Sequence, residues 1–515
     1  MEGRVLVLGL DGADWSILRP LLPELPNLRG LVESGLSGPL RSTLLPITPP
    51  AWSTFLTGRN PGAHGIFDHF KRKPGSYDIE PVHRGHLAVP ALWDLLAAAG
   101  VPQAWVNVPM SWPPPPVNGV VVSGWPAWPG SEFTSPPEFA RSLGDYPLHA
   151  TEVAAPGNLD RFAEEQIRVI GARARALRLA LGATPGWRFA MVHFEAPDET
   201  HHACYGDAGR MLPVYRALDG AVGEILGQAP SGTRVMVASD HGAAPLRWFL
   251  HLNPWLRERG LLRLRGGAGT ALKAGLSRAG LTPEAAYRLL LRGGLGGLRR
   301  LLPPERERGL LSRLFISFRD VEWERTLAYS VGYGGQVYLN RKGREPRGTV
   351  RDEDAEEVLA RVEAGLWLMR DPEAPRPLVT EVHRGRDIYS GPRARDGPDL
   401  LFLTEEMATV GFGRFEFASS RPLARPFGIR SSHSMEGVVA LAGPGIGRGS
   451  VAADLRDCAP TILRLLGLGV PGEMEGRPLA GEGDAAPPAP AAPAPVAQAD
   501  HPAVLERLRR LGYLG

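Results

Sequence analysis

Arg4–Asp14 reads RVLVLGLDGAD, an apolar run that stops at a carboxylate, Asp11, followed by Gly12. A buried strand that delivers an acid to its own carboxyl end is the reading that decides the fold. In an open parallel α/β sheet the ligand crevice lies beyond the carboxyl ends of the strands, so an acid there is placed for chemistry. The simpler reading of Asp-Gly is a surface turn. Taken alone, the dipeptide favours the turn, and the rest of the chain has to decide.

Working outward, the same pattern recurs. WRFAMVHFEAPDETHH (187–202) is an apolar run that stops at acids and histidines, and TRVMVASDHG (233–242) ends in Asp240 and His241. A helix-like LWDLLAAAG (92–100) leads to strands in AWVNVP (104–109) and GVVVSGW (119–125), and amphipathic helices are predicted near 159–181 and 209–226. Such alternation points to an α/β fold, a mostly parallel central sheet flanked by helices. Residues 1–480 are expected to form one large domain. Within it, about 245–325, rich in Arg, Leu and Gly, reads as an inserted basic helical cap, and the sheet is expected to resume with LAYSVGYGGQVYLN (327–340) and PDLLFLT (398–404). Residues 481–500 are Ala/Pro-rich and read as a linker, and 501–515 as an amphipathic tail that docks.

Composition narrows the class. At 515 residues with 43% hydrophobic and 22% charged residues, the chain has ordinary globular content. A net charge of +3 gives no reason to expect nucleic acid as a partner. The only cysteines, Cys204 and Cys458, make no disulfide framework. No secretory leader or bilayer-length apolar stretch is read at the start or elsewhere, so the expected location is cytoplasmic. The basic cap is read as a solvated face over a leucine core, with peripheral contact to anionic lipid as its functional alternative.

Three strand ends rich in Asp and His make coincidence a poor explanation. The candidate metal ligands are Asp11, Thr48, Asp198, His202, Asp240, His241 and His433. Mixed carboxylate and imidazole donors suit zinc, and also manganese or iron. Asp198 and His202 are one helical turn apart. Asp240 and His241 are adjacent and need a bend to converge, which Gly242 permits. Prolines at 46, 49 and 50 are expected to keep a helix from starting before about Ala51, placing Thr48 just ahead of an N-terminus where the helix dipole favours an anion. His64 reads as a turn cap, and Asn107 as either a pocket donor or a satisfied loop asparagine.

With these motifs in hand, the chain resembles the alkaline phosphatase superfamily, in its type I phosphodiesterase and nucleotide pyrophosphatase branch. The shared signatures are Asp11-Gly12, TPPAWSTFLTG from Thr48, AHGI at His64, PDETHH, SDHG and the late SSHS, in the family's order to about Leu479. The resemblance implies one metal held by Asp198, His202 and His433, and a second by Asp11, Asp240 and His241. It implies Thr48 as a nucleophile beside the second metal, and a phosphothreonine intermediate that water resolves with net retention. The implied cofactor is two divalent ions, zinc first and manganese as the alternative. The implied substrate is a small phosphate ester, a nucleotide or a lipid-linked phosphate among the options. One departure stands out: the family pattern has an asparagine three residues beyond the threonine, where this chain has Ala51. A sulfatase lacks support because no CxPxR-type motif is present, and a phosphoglycerate mutase would be expected to use serine. The alternative of a different class is a non-catalytic, metal-stabilised protein that binds a phosphorylated ligand.

Overall fold

The structure is a computed structural model that describes residues 3–150, 154, 157–283, 285–286, 313–412 and 417–480. Strand β1 (Val5–Leu10) is buried along its whole length. Side chains alternate across a strand, so Leu6, Leu8 and Leu10 enter one apolar core and Val5 and Val7 the other. Covering on both faces is the physical reason the sequence reads as an unbroken apolar run.

The chain goes on to supply β2 (Leu36–Arg41), β3 (Gln103–Val108), β4 (Gly119–Ser123), β5 (Phe189–Phe194) and β6 (Arg234–Ala238). Then come β7 (Gly242–Pro245), β8 (Ser431–Ser434) and β9 (Glu436–Ala442). The central sheet runs β2-β9-β6-β1-β5-β3-β4, with short strands at its edges. β1 lies parallel to β5 and β6, and β3 parallel to β5 and β4, whereas β9 is antiparallel to both of its neighbours. β7 and β8 pair antiparallel outside this sheet. The mostly parallel sheet read from the sequence is therefore present.

Helices α1 (Thr48–Thr57), α2 (Leu159–Gly182), α3 (Ala196–Cys204) and α4 (Ala208–Gln228) position the strand ends. α2 and α4 cover one face through Ile170, Leu177, Leu218 and Val222. α1 covers the other through Trp52, Phe55 and Leu56, beside Ile462 and Leu463. Fully burying one such leucine is worth roughly 2 kcal/mol, so two continuous cores hold the sheet rigidly. α1 starts at Thr48, earlier than the prolines suggested. Pro49 and Pro50 sit in its first turn, where a missing N–H costs nothing.

The expectation that residues 327–340 and 398–404 rejoin the central sheet is corrected. Ala328–Tyr329, Gln336–Leu339, Leu400–Thr404 and Val379–Arg384 form a separate four-stranded antiparallel sheet. It shares a core with Trp248, Trp255, Trp323 and helix Ala355–Trp367. A short apolar run announces a buried strand but not the sheet it joins. Of the basic segment 245–325, residues 245–283, 285–286 and 313–325 are described, and they include strand Trp248–His251 and helices Leu252–Glu258 and Ala268–Arg278. The rest of it, 284 and 287–312, lies outside the described residues, as do the predicted linker 481–500 and tail 501–515. No described helix is long and apolar enough to cross a membrane.

One buried ion pair fastens α2 to the end of β5. Arg173 is fully buried and pairs with Glu195, while its guanidinium also donates to the Pro147 and Leu148 carbonyls. Burial works to raise the Glu195 pKa, and Arg173 more than offsets it, leaving the carboxyl below its ordinary value. Arg173→Leu is expected to destabilise the fold by about 3 kcal/mol, the low end for a broken buried pair, because Glu195 keeps some contact with water. Urea unfolding of the variant against the parent measures it.

Candidate functional site

The parallel strands bring their carboxyl ends to one side. Asp11 follows β1, Asp198 lies on α3 just after β5, and Asp240 and His241 follow β6. His433 arrives from β8, paired opposite Ala243 of β7. Six of the predicted ligands fall into two sets, Asp198 with His202 and His433, and Asp11 with Asp240 and His241, each with its ligand atoms within 4.8 Å of one another. The two sets adjoin: the His241 and His433 rings stack with centroids 3.7 Å apart. The first set is partly open to solvent, whereas Asp11, Asp240 and His241 are buried.

The imidazoles are locked by their back sides. His202 Nδ1 lies 3.0 Å from Ser431 O, His241 Nδ1 3.0 Å from Gly242 O, and His433 Nδ1 2.6 Å from Pro46 O. A carbonyl only accepts, so each Nδ1 carries a proton and each ring turns its Nε2 toward the site. The three Nε2 atoms converge. His202 Nε2 and His433 Nε2 are 3.1 Å apart, and His241 Nε2 is 3.3 Å from Asp240 Oδ2 and 3.6 Å from Asp11 Oδ1. Asp11 Oδ1 and Asp240 Oδ2 are buried without a hydrogen-bond partner. Converging Nε2 atoms and orphaned carboxylate oxygens are what a pair of cations satisfies, so the donors present fit divalent metal.

Electrostatics tell the same story. Burial, then the charges of Asp11 and Asp198, push the Asp240 pKa well above the carboxylate range. Burial also works against ionised Asp198, but His202 and His433 overcome it and hold that carboxyl low. For His202 burial lowers the pKa and Asp198 more than reverses it, to about 9. His433 is pushed well down by burial and by His241.

Thr48 stands at the edge of the buried set, with Oγ1 3.4 Å from His241 Nε2. The helix start offers it fewer donors than its sequence suggested. Pro49 and Pro50 have no N–H, and the Ala51 N–H is spent on Ile47 O. Ala51 itself is fully buried in the core with Val5 and Val7, and its methyl offers no donor. His64 is a buried turn residue: Nδ1 accepts from Ile66 N and Nε2 contacts Thr54 Oγ1 at 3.0 Å. Asn107 is spent on structure, its Nδ2 donating to Glu195 Oε2 at 2.7 Å and His193 O at 3.1 Å. Gly242 serves close approach rather than a bend, since a Cβ there would fall 2.2 Å from Asp14 Oδ2.

Asp14, His193 and Trp52 escaped the sequence reading. Asp14 caps the helix Trp15–Leu21 and accepts from Ala243 N at 3.1 Å and Ser434 Oγ at 2.9 Å, tying the β7/β8 pair to the end of β1. His193 and Trp52 both contact Asp11. A histidine inside the otherwise apolar FAMVHF was the signal available for the first.

Carboxylates and imidazoles gathered at the carboxyl ends of a mostly parallel sheet define a metal-dependent hydrolase. The family model for type I phosphodiesterase / nucleotide pyrophosphatase matches residues 5–406, and the chain belongs to that family, within the alkaline phosphatase superfamily. A comparison with curated proteins returns no match. The matched stretch ends before His433, which joins the site through the pairing of β8 with β7.

Gly12 adopts φ +66°, and a Cβ there would lie 2.8 Å from both Asp198 Cβ and Oδ1. Gly12→Ala is therefore expected to cost about 1–2 kcal/mol in backbone strain. It should also displace Asp198 and weaken divalent-metal binding. Thermal unfolding with and without added Zn²⁺ checks both, the metal-induced rise in Tm shrinking in the variant.

Proposed function

We propose that this chain is a two-metal hydrolase of phosphodiester or phosphomonoester bonds that works through a phosphothreonine on Thr48. The observation that carries the reading is the convergence of three histidine Nε2 atoms and two orphaned carboxylate oxygens beside the Thr48 hydroxyl. Asp198, His202 and His433 would hold one cation and Asp11, Asp240 and His241 the other, with zinc suited to the donors and manganese the alternative. Bound there, the cations would supply Lewis-acid polarisation at phosphorus and lower the pKa of a nearby hydroxyl.

Thr48 Oγ1 attacks phosphorus in line with the leaving oxygen. The Oγ1–P bond forms as the P–O bond to the leaving group breaks, and the hydroxyl proton passes to solvent. Water then enters from the vacated side, the P–Oγ1 bond breaks and Oγ1 regains a proton as the phosphate product leaves, so two inversions give net retention. The short first turn of α1 holds Oγ1 in place, because Pro49 and Pro50 stiffen the backbone directly after it. The substrate is a small phosphate ester, a nucleotide or a lipid-linked phosphate. Exposed arginines of the basic segment, Arg263 and Arg278, would attract that anion or an anionic lipid surface. Two free, buried cysteines accord with a reducing, cytoplasmic setting.

Thr48→Ala should lower turnover of chromogenic phosphodiester and phosphomonoester substrates by at least about a thousandfold. Metal content by elemental analysis should stay close to that of the parent. Substantial residual hydrolysis would overturn the nucleophile. Full metal loading with no turnover of any ester by the parent would instead favour a binding protein.

A further inference from the structure

We infer that His193, which lies outside the proposed ligand set, is a positioning residue: it holds one oxygen of Asp11 so that the other is presented bare to the cation. The inference rests on the reading of Asp11 as a metal ligand. Asp11 is almost fully buried, and its two oxygens have opposite fates. Oδ2 lies 2.7 Å from His193 Nε2 and accepts from Trp52 Nε1 at 3.2 Å. Oδ1 has no hydrogen-bond partner and faces His241 Nε2 at 3.6 Å. A carboxylate held this way cannot turn about its Cβ–Cγ bond without giving up both donors, so its free lone pairs stay aimed at the buried set.

The chain fixes which nitrogen of His193 carries the proton. Asn107 Nδ2 lies 3.4 Å from His193 Nδ1, and that amide is oriented by its bonds to Glu195 Oε2 and to His193 O. Asp11 Oδ2 is an acceptor, so at 2.7 Å from it His193 Nε2 carries the ring proton, while the amide of Asn107 packs against the Nδ1 side of the ring. Glu195 is anchored in turn by the buried guanidinium of Arg173. Asn107 pays for its place with a left-handed backbone, φ +59°, a conformation that surrounding structure must impose on a non-glycine residue.

An independent mark of the clamp lies in β1. The Trp52 and His193 rings meet edge to face, centroids 5.1 Å apart at 89°. They meet over Gly9, where a Cβ would come 2.9 Å from the Trp52 ring and 3.5 Å from the His193 ring. The glycine that interrupts VLVLGL thus makes room for both donors.

Outer partners of this kind change metal affinity by roughly 10- to 100-fold when removed. The test is stepwise Co²⁺ titration of the metal-free full chain, read by visible absorption and by competition with a chelator, in parent, Asp11→Asn, His193→Phe and His193→Gln. Asp11→Asn should weaken one of the two sites. His193→Phe should weaken that same site by about 10- to 100-fold and leave the other unchanged. His193→Gln, whose amide N–H reaches the same position, should regain most of the loss.

If Asp11→Asn weakens a site and a folded His193→Phe weakens neither, the clamp is overturned while the ligand reading stands. If Gln is no better than Phe, the role is merely structural and the clamp is again overturned. If Asp11→Asn leaves both sites intact, the ligand reading itself fails. Should His193→Phe not fold, His193→Asn takes its place, because its shorter amide cannot reach Oδ2.

Discussion

Everything in this molecule is arranged around a charge it cannot balance with its own side chains. Parallel pairing of β1 with β6 puts Gly9 opposite Ala238, so Asp11 and Asp240 emerge side by side beyond the strand ends. At roughly 4 Å and an effective dielectric near 20, two such charges repel by about 4 kcal/mol. The same geometry in water would cost little. Here burial removes the solvent, and only cationic neighbours or protons can relieve the crowding. Two apolar cores, one on each face of the sheet, keep the strand ends from drifting apart to relieve it.

Around that charge the protein spends mostly backbone. The carbonyls of Pro46, Gly242 and Ser431 orient the histidines, and Asp14 draws the β7/β8 pair against the end of β1. These supports come from loops far apart in the chain and close in space. The proposed ligands can therefore be short side chains on rigid elements, which is how a site keeps its geometry to a fraction of an ångström.

What the sequence discloses follows from the same physics. Asp11, Asp198 and Asp240 were legible because an acid at the end of an apolar run is conspicuous, and the sheet was legible because strands covered on both faces carry no polar alternation. His433, in the polar SSHS, follows no apolar run, so the pattern that marks the three acids does not mark it. Carbonyl anchors are invisible in a sequence because any residue supplies them. His193 was hidden by its burial inside FAMVHF, where a lone histidine reads as core. The start of α1 was misjudged because prolines were read as breakers although the first turn tolerates them. PDLLFLT was rightly a strand and wrongly placed, since nothing in a run of buried residues names its partner.

Thr48 and Trp52 sit one helical turn apart on α1. One carries the hydroxyl beside His241, and the other reaches across to Asp11. A small shift of the helix therefore carries the hydroxyl and the carboxylate's anchor in the same direction. Displacements of that kind are common to both parts and largely cancel in the distance between them. Had the two groups been mounted on separate loops, their thermal errors would have added instead.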